Sequence, residues 1–317
     1  MGRDRARWPI EEERRPHDAL EPRDVDRGSR GSSDPREAFS RDPREVFTRG
    51  LGLPRGSRRQ RVALRTRTYE LSGSDVRLLA TVGAFRAVPR DDLNQSTGRA
   101  DGSRDKQIEH LRSSGLIETR PFGAGRSRTT LVTLTERGRD LLDAAQDRSH
   151  DDRQRFYAGF ARRPEITHDA HFYRAYDRAA QAIRDRGGHV RRVVLDYELK
   201  GDYQRFLQER NRQKRDSDGR PDRTSDEVRE WALAHRLPYE DEHVQFPDVR
   251  IEYEDRDGRR EIEDLEIVTP HYRGAHAAAK GRSGFRQYRS GGARIGGRSR
   301  GGRGRPFDPR VAEEILS

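Results

Sequence analysis

Residues 69–146 constrain this chain most, because helical and strand periods follow one another there in an order that few folds allow. Val76, Leu78, Leu79, Val82 and Phe85 repeat at helical spacing from about Ser74, and Ser72 or Ser74 can cap the helix. A shorter helix is expected after Pro89, whose fixed φ suits a first turn, with Leu93 inward. Residues 98–102 read as a turn. A third helix then starts at Ser103, in which Ile108 and Leu111 face the core while Arg104, Lys106, Gln107 and His110 point away from it. Gly115 suits the end of that helix. Residues 116–120 and 129–135 alternate as strands about a glycine-bearing turn that carries Arg126 and Arg128. A last helix is expected from Thr135, with Leu141, Leu142 and Ala145 inward.

This succession of three helices, a hairpin and a helix resembles winged helix-turn-helix domains of the MarR and ArsR type. The likeness extends to Leu111-Arg112-Ser113-Ser114-Gly115-Leu116-Ile117 and to Leu134-Thr135-Glu136-Arg137-Gly138. It implies that the third helix enters the major groove of double-stranded DNA and that the hairpin touches the neighbouring backbone. Arg104, Lys106, Gln107, His110, Arg126 and Arg128 are the candidate DNA-binding residues. The competing reading is a domain that only contacts other proteins; the bases on the third helix and hairpin tip favour DNA.

The 317 residues suggest about two domains, yet only 30% are hydrophobic and 38% are charged, so part of the chain is expected to lie outside any core. Residues 1–67 carry 18 arginines against 12 acids without a sustained apolar period and read as a disordered arm. Residues 289–317 read as a glycine- and arginine-rich tail resembling segments that track single-stranded nucleic acid. Net charge is +11, which suits a polyanion, although only four of the 66 basic residues are lysine, a bias that a GC-rich genome also produces. Cysteine is absent, which excludes disulfides and thiolate metal sites. No apolar run approaches a membrane span or a signal peptide, so a cytoplasmic location is expected.

A charged helical linker over residues 148–164 is expected to join the first domain, 68–147, to a second over 165–288. The second opens with a helix whose apolar face is Phe172, Tyr173, Tyr176, Ala180 and Ile183. A strand over 190–199, a charged helix over 202–214 and a helix started by Thr224-Ser225-Asp226-Glu227 follow. Residues 246–253 and 261–268 alternate as two antiparallel strands about Asp257-Gly258. Pairing Val249, Ile251 and Tyr253 with Ile267, Leu265 and Glu263 puts Asp248, Asp264 and Glu266 together on the other face. Three carboxylates without a base would repel, and a divalent cation is the usual remedy; a solvated strand face is the plainer account. His168, Asp169 and His171 lack a third and fourth ligand for zinc and read as capping and core residues.

The helix, strand, helix, Pro247-Asp248 strand and acidic strand, followed by Lys280, resemble the restriction-endonuclease-like superfamily with its PD-(D/E)xK signature. Asp248 matches the first acid and Asp264 the second, and Glu266 stands where lysine is expected; Lys280 is the candidate relocated lysine. The resemblance implies Mg²⁺ on Asp248 and Asp264. With the preceding helices, the whole resembles the replication-relaxation proteins of plasmids and other mobile elements, which implies a role in replication initiation or DNA relaxation. The expected fold is therefore α+β, a winged helix followed by a nuclease-like α/β domain between basic arms. The rival function is a non-enzymatic transcription regulator whose second domain senses or dimerises.

Overall fold

Phe47, in a stretch whose composition suggests a solvated arm, is 1% exposed. The computed structural model describes residues 43–95, 101–124, 127–147, 153–160, 163–211, 222–268 and 282–289. Within them the protein is mixed α+β. The arm expected over 1–67 thus gives way to packed chain from Pro43: a 3-10 turn, Pro43–Thr48, lies on the first long helix, and strands β1 (Gln60–Leu64) and β2 (Arg67–Leu71) form a hairpin. Its apolar residues are few but alternate, so Tyr69 and Leu71 are buried while its arginines stay out.

Helix α1 (Gly73–Phe85) starts at a capping box between Ser72 and Asp75. Strand β3 (Val88–Pro89), helix α2 (Arg90–Gln95) and helix α3 (Asp101–Ser113) follow. Strands β4 (Ile117–Ala124) and β5 (Ser127–Leu134) form the expected hairpin, and β3 pairs with β5 to give the order β3-β5-β4. Gly115 ends α3 at φ 72°, with the Leu116 N–H returning to the Leu111 carbonyl at 3.1 Å. Helix α4 (Glu136–Ala145) is capped by Thr135, whose hydroxyl also donates to the Gly115 carbonyl at 2.7 Å. The two sequence phrases around Gly115 and Gly138 are therefore one structural joint.

Residues 153–160 are not helical, contrary to the expected linker; 148–152 lie outside the described residues. The segment is extended because its groups bond to both halves of the molecule. Gln154 exchanges side-chain hydrogen bonds with the Val193 backbone, Phe156 is buried, and the Tyr157 N–H donates to Gly83 of α1 at 2.8 Å. Helix α5 (Arg163–Asp185) then packs Phe172, Tyr173, Tyr176, Ala180 and Ile183 inward as expected. Phe85 of α1 meets Tyr173 and Tyr176 of α5 at ring distances of 5.3 and 5.0 Å, and Phe47 meets Tyr176 at 5.3 Å. One hydrophobic cluster consequently runs from Val46 to Tyr288 through both halves, which belong to a single compact unit.

Strand β6 (His189–Leu195) stops four residues before its expected end. Helix α6 (Asp196–Gln208) starts at once, with Asp196 and Glu198 favourably placed in its first turn. Helix α7 (Ser225–Ala234), with its Thr224–Glu227 capping box, and the short strands β7 (Tyr239–Glu240) and β8 (His243–Val244) precede β9 (Val249–Glu254) and β10 (Arg260–Val268). The register pairs Val249 with Leu265 and Ile251 with Glu263, two residues from the expected pairing. A shift of two preserves the faces. Strand β11 (Arg286–Arg289) runs parallel to β10, giving the order β11-β10-β9-β6. Among the described residues no helix is long and apolar enough to cross a membrane.

Gly138 tests the joint between α3 and α4. A Cβ there would stand 2.1 Å from the Leu116 carbonyl oxygen, a backbone atom. Helix propensity favours alanine by about 1 kcal/mol, but overpacking costs about 1–3 kcal/mol and a backbone clash falls at the upper end. Gly138→Ala should therefore lower stability by roughly 1–2 kcal/mol in urea unfolding; a gain would show that the joint yields freely.

Candidate nucleic-acid interface and acidic strand face

Helix α3 has its apolar side where the sequence puts it: Ile108 and Leu111 are buried. Three of its four candidate DNA-binding side chains, however, turn onto the protein. Arg104 is 5% exposed and donates to the Gln107 side chain at 2.8 Å. Gln107 donates to buried Asp75 at 3.0 Å, and the His110 ring lies 2.9 Å from the Glu70 carbonyl. Gln107 is held by α1 through Asp75, and His110 by the β1–β2 hairpin, which stands where a disordered arm was expected. Lys106 remains exposed on α3 and Arg128 on β5; Arg126 lies outside the described residues. The hairpin was legible in retrospect, because Val62, Leu64, Tyr69 and Leu71 alternate about Arg65-Thr66.

On the strand pair, Asp248, Asp264 and Glu266 do share one face, but so does Arg250, which register places opposite Asp264. The premise of carboxylates without a base fails there. The Arg250 guanidinium donates to both Asp264 oxygens, at 2.8 and 2.9 Å, and to the His235 and Arg236 carbonyls just beyond α7, at 2.7 and 3.0 Å. Its side chain is 4% exposed. A bidentate carboxylate and two carbonyls thus engage four of the five guanidinium N–H donors. Strict alternation from Asp248 already places Arg250 on this face, so the signal was present in the sequence.

Asp248 is buried, and its Oδ2 accepts the Ile267 N–H at 2.7 Å and lies 3.2 Å from His168 Nε2. Glu266 is also buried. Burial works to lower the His168 pKa, but the hydrogen bond and charge of Asp248, with Asp169 and Asp196 beyond, raise it overall. Mg²⁺ on Asp248 and Asp264 does not fit this arrangement, since Asp264 gives both oxygens to Arg250. Among the described residues no three His, Asp or Glu side chains are grouped to hold a metal ion. Lys280 lies outside the described residues, as does the tail from residue 290.

His168, Asp169 and His171 separate into different roles. Asp169 is fully buried, accepts the Tyr197 hydroxyl at 3.0 Å and faces Arg86 at 3.8 Å. Burial pushes its carboxyl up to about 6, against the pull of Arg86. His171 is buried, and burial, helped by Arg174 and His168, pulls its ring down to about 4.

Two measurements check these assignments. Asp264→Asn leaves the buried Arg250 charge half-answered and should cost about 3 kcal/mol of unfolding free energy; an unchanged value would return Asp264 to the free carboxylates. Asp169 has a folded pKa raised above its unfolded value, so its favourable contribution is complete below about 3.8 and is lost as pH rises through about 6. Asp169→Asn keeps an acceptor for Tyr197 and removes the charge, so it should stabilise the protein by roughly 1–3 kcal/mol at pH 8 and far less at pH 4. Parallel urea curves at the two pH values decide this, and equal shifts would refute the buried charge.

Comparison of the chain with protein-family models, with curated proteins and with solved structures returns no match.

Proposed function

We propose that this protein binds duplex DNA through α3 and the β4–β5 hairpin, arranged as a winged helix, and that its α/β half is a non-catalytic body on which that reader is mounted. The observation that carries this reading is the assembly of α1, α2 and α3 against the β3-β5-β4 sheet, with Lys106 and Arg128 exposed on the presumed reading helix and hairpin. A helix and a β-ribbon tip are the shapes that DNA grooves accept. In the α/β half, helix α5 is followed by antiparallel β6, β9 and β10, with β11 parallel to β10, a mixed sheet that is compatible with the nuclease-like resemblance of the sequence. Its acidic face argues against hydrolysis, because Asp264 is neutralised by Arg250 and Asp248 is engaged by Ile267 and His168. A role in replication or relaxation of a mobile element rests on the family resemblance of the sequence and is part of the same proposal.

The test is duplex binding followed by fluorescence anisotropy against salt. Each phosphate contact contributes a slope of about −0.9 in log affinity against log salt, so Lys106→Ala with Arg128→Ala should make the slope shallower by roughly 2. Arg104→Ala should instead reduce stability and leave the slope alone. The parent should not nick supercoiled plasmid in Mg²⁺; nicking that disappears in Asp248→Asn would overturn the non-catalytic assignment. An unchanged slope in the Lys106/Arg128 variant would overturn the proposed reading surface.

A further inference from the structure

The β1–β2 hairpin concentrates charge that the proposed reader does not use. Residues 54–71 contain six arginines, Arg55, Arg58, Arg59, Arg61, Arg65 and Arg67, and one acid, Glu70. All six arginines are exposed. Three of them are tethered: Arg59 to Asp75 at 3.5 Å, Arg61 to Glu70 at 3.9 Å and Arg65 to Asp140 of α4 at 3.4 Å. Arg55, Arg58 and Arg67 make no ion pair among the described residues. Arg61, Arg65 and Arg67 lie on the hairpin itself and Arg55, Arg58 and Arg59 on the segment that leads into it, and such density of like charge is unfavourable in isolation and only partly offset by the three ion pairs.

The ribbon is also fixed in place. Tyr69 and Leu71 anchor its inner face in the core. The Glu70 carbonyl meets His110 of α3 at 2.9 Å, and Asp75 links Arg59 on one side to Gln107 of α3 on the other. Strand β2 therefore touches α3 at His110, and Lys106 lies one turn before that contact. At the opposite end, Arg65 ties the hairpin turn to α4.

We propose that this hairpin is a second duplex-DNA contact, gripping the phosphate backbone next to the stretch engaged by α3. The inference rests on the DNA-binding reading above and extends its footprint upstream of α1. The ligand chemistry follows from the residues. Exposed guanidiniums on a fixed ribbon suit a regular row of phosphates, and without buried donors to read base edges the contact positions the protein and adds affinity independent of sequence. Anchoring matters because a pre-placed ribbon loses less freedom on binding than a loose basic arm.

The experiment uses the full chain and a labelled duplex, with an RNA of equal length as competitor. Arg58, Arg61 and Arg67 are changed together to Ala and, separately, to Lys, and melting temperature is recorded for each protein. The alanine variant should melt like the parent and show a salt slope shallower by roughly 2 to 3, at about 0.9 per contact, with the lysine variant restoring most of it. If its affinity and slope match the parent while Lys106→Ala with Arg128→Ala weakens binding, the hairpin inference falls and the reader stands. If the parent shows no salt-dependent duplex binding, both fall. Tighter binding to the RNA than to the duplex would assign the ribbon to another polyanion and likewise overturn the proposal.

Discussion

The contact on which the rest of the structure depends is the insertion of Phe85, at the end of α1, between Tyr173 and Tyr176 of α5, with Phe47 closing the group. All four rings are at most 2% exposed. Aromatic pairs of this kind contribute about 0.5–1.5 kcal/mol each beyond the area they bury. Because the rings come from the first helix of one half and the first helix of the other, neither half has a closed core alone. Cutting the chain between α4 and α5 would expose rings on both products. The segment 153–160 then has to cross the seam as extended chain, its polar groups answered by β6 and α1.

A chain with 38% charged residues and nearly all its bases as arginine must place many guanidiniums, and it places several inside. Arg174 of α5 reaches buried Asp92 of α2 at 2.6 Å, tying the same two halves that the aromatic rings join. Arg86 adopts φ 66°, an uncommon backbone for a side-chain-bearing residue, where its guanidinium lies 4.4 Å from the Tyr197 ring and faces Asp169. Net charge is therefore a poor guide to where a polyanion lands. More informative are exposed bases without an ion pair among the described residues, which include Arg55, Arg58 and Arg67 in and before the β1–β2 hairpin as well as Lys106 and Arg128.

Sequence reasoning recovered the elements whose apolar period was long or whose caps were explicit. Helix α1, with Val76, Leu79 and Val82 behind a Ser72 cap, and helix α5, with its aromatic stripe, are of this kind. It failed where a short element drew its stability from outside itself. The hairpin of residues 60–71 has only four large apolar side chains, Val62, Leu64, Tyr69 and Leu71, and the arginines around them masked their alternation. The linker was expected to be helical from its charge, but Gln154 and Phe156 take their conformation from partners far away in sequence. For the site residues, spacing gave the face correctly and the neighbours incorrectly. Asp248, Asp264 and Glu266 do point one way, and the omission of Arg250 from the same alternation made an ion pair look like a row of lone carboxylates.

A carboxylate can serve a metal only if its oxygens are not already held by stronger obligations. For Asp264 the obligation is a nearly buried guanidinium that has no other carboxylate bonded to it among the described residues; withdrawing Asp264 to bind an ion would leave that charge to the two carbonyls among them. For Asp248 it is the Ile267 N–H, which would be left buried and unpaired near the start of β9. A weakly held Mg²⁺ retains much of its water shell and has little energy to offset such losses. The carboxylates that resemble a catalytic signature are thus better accounted for as the fastenings of the β9–β10 pair and of the end of α7 above it, and the proposed recognition of DNA falls to exposed bases of the other half.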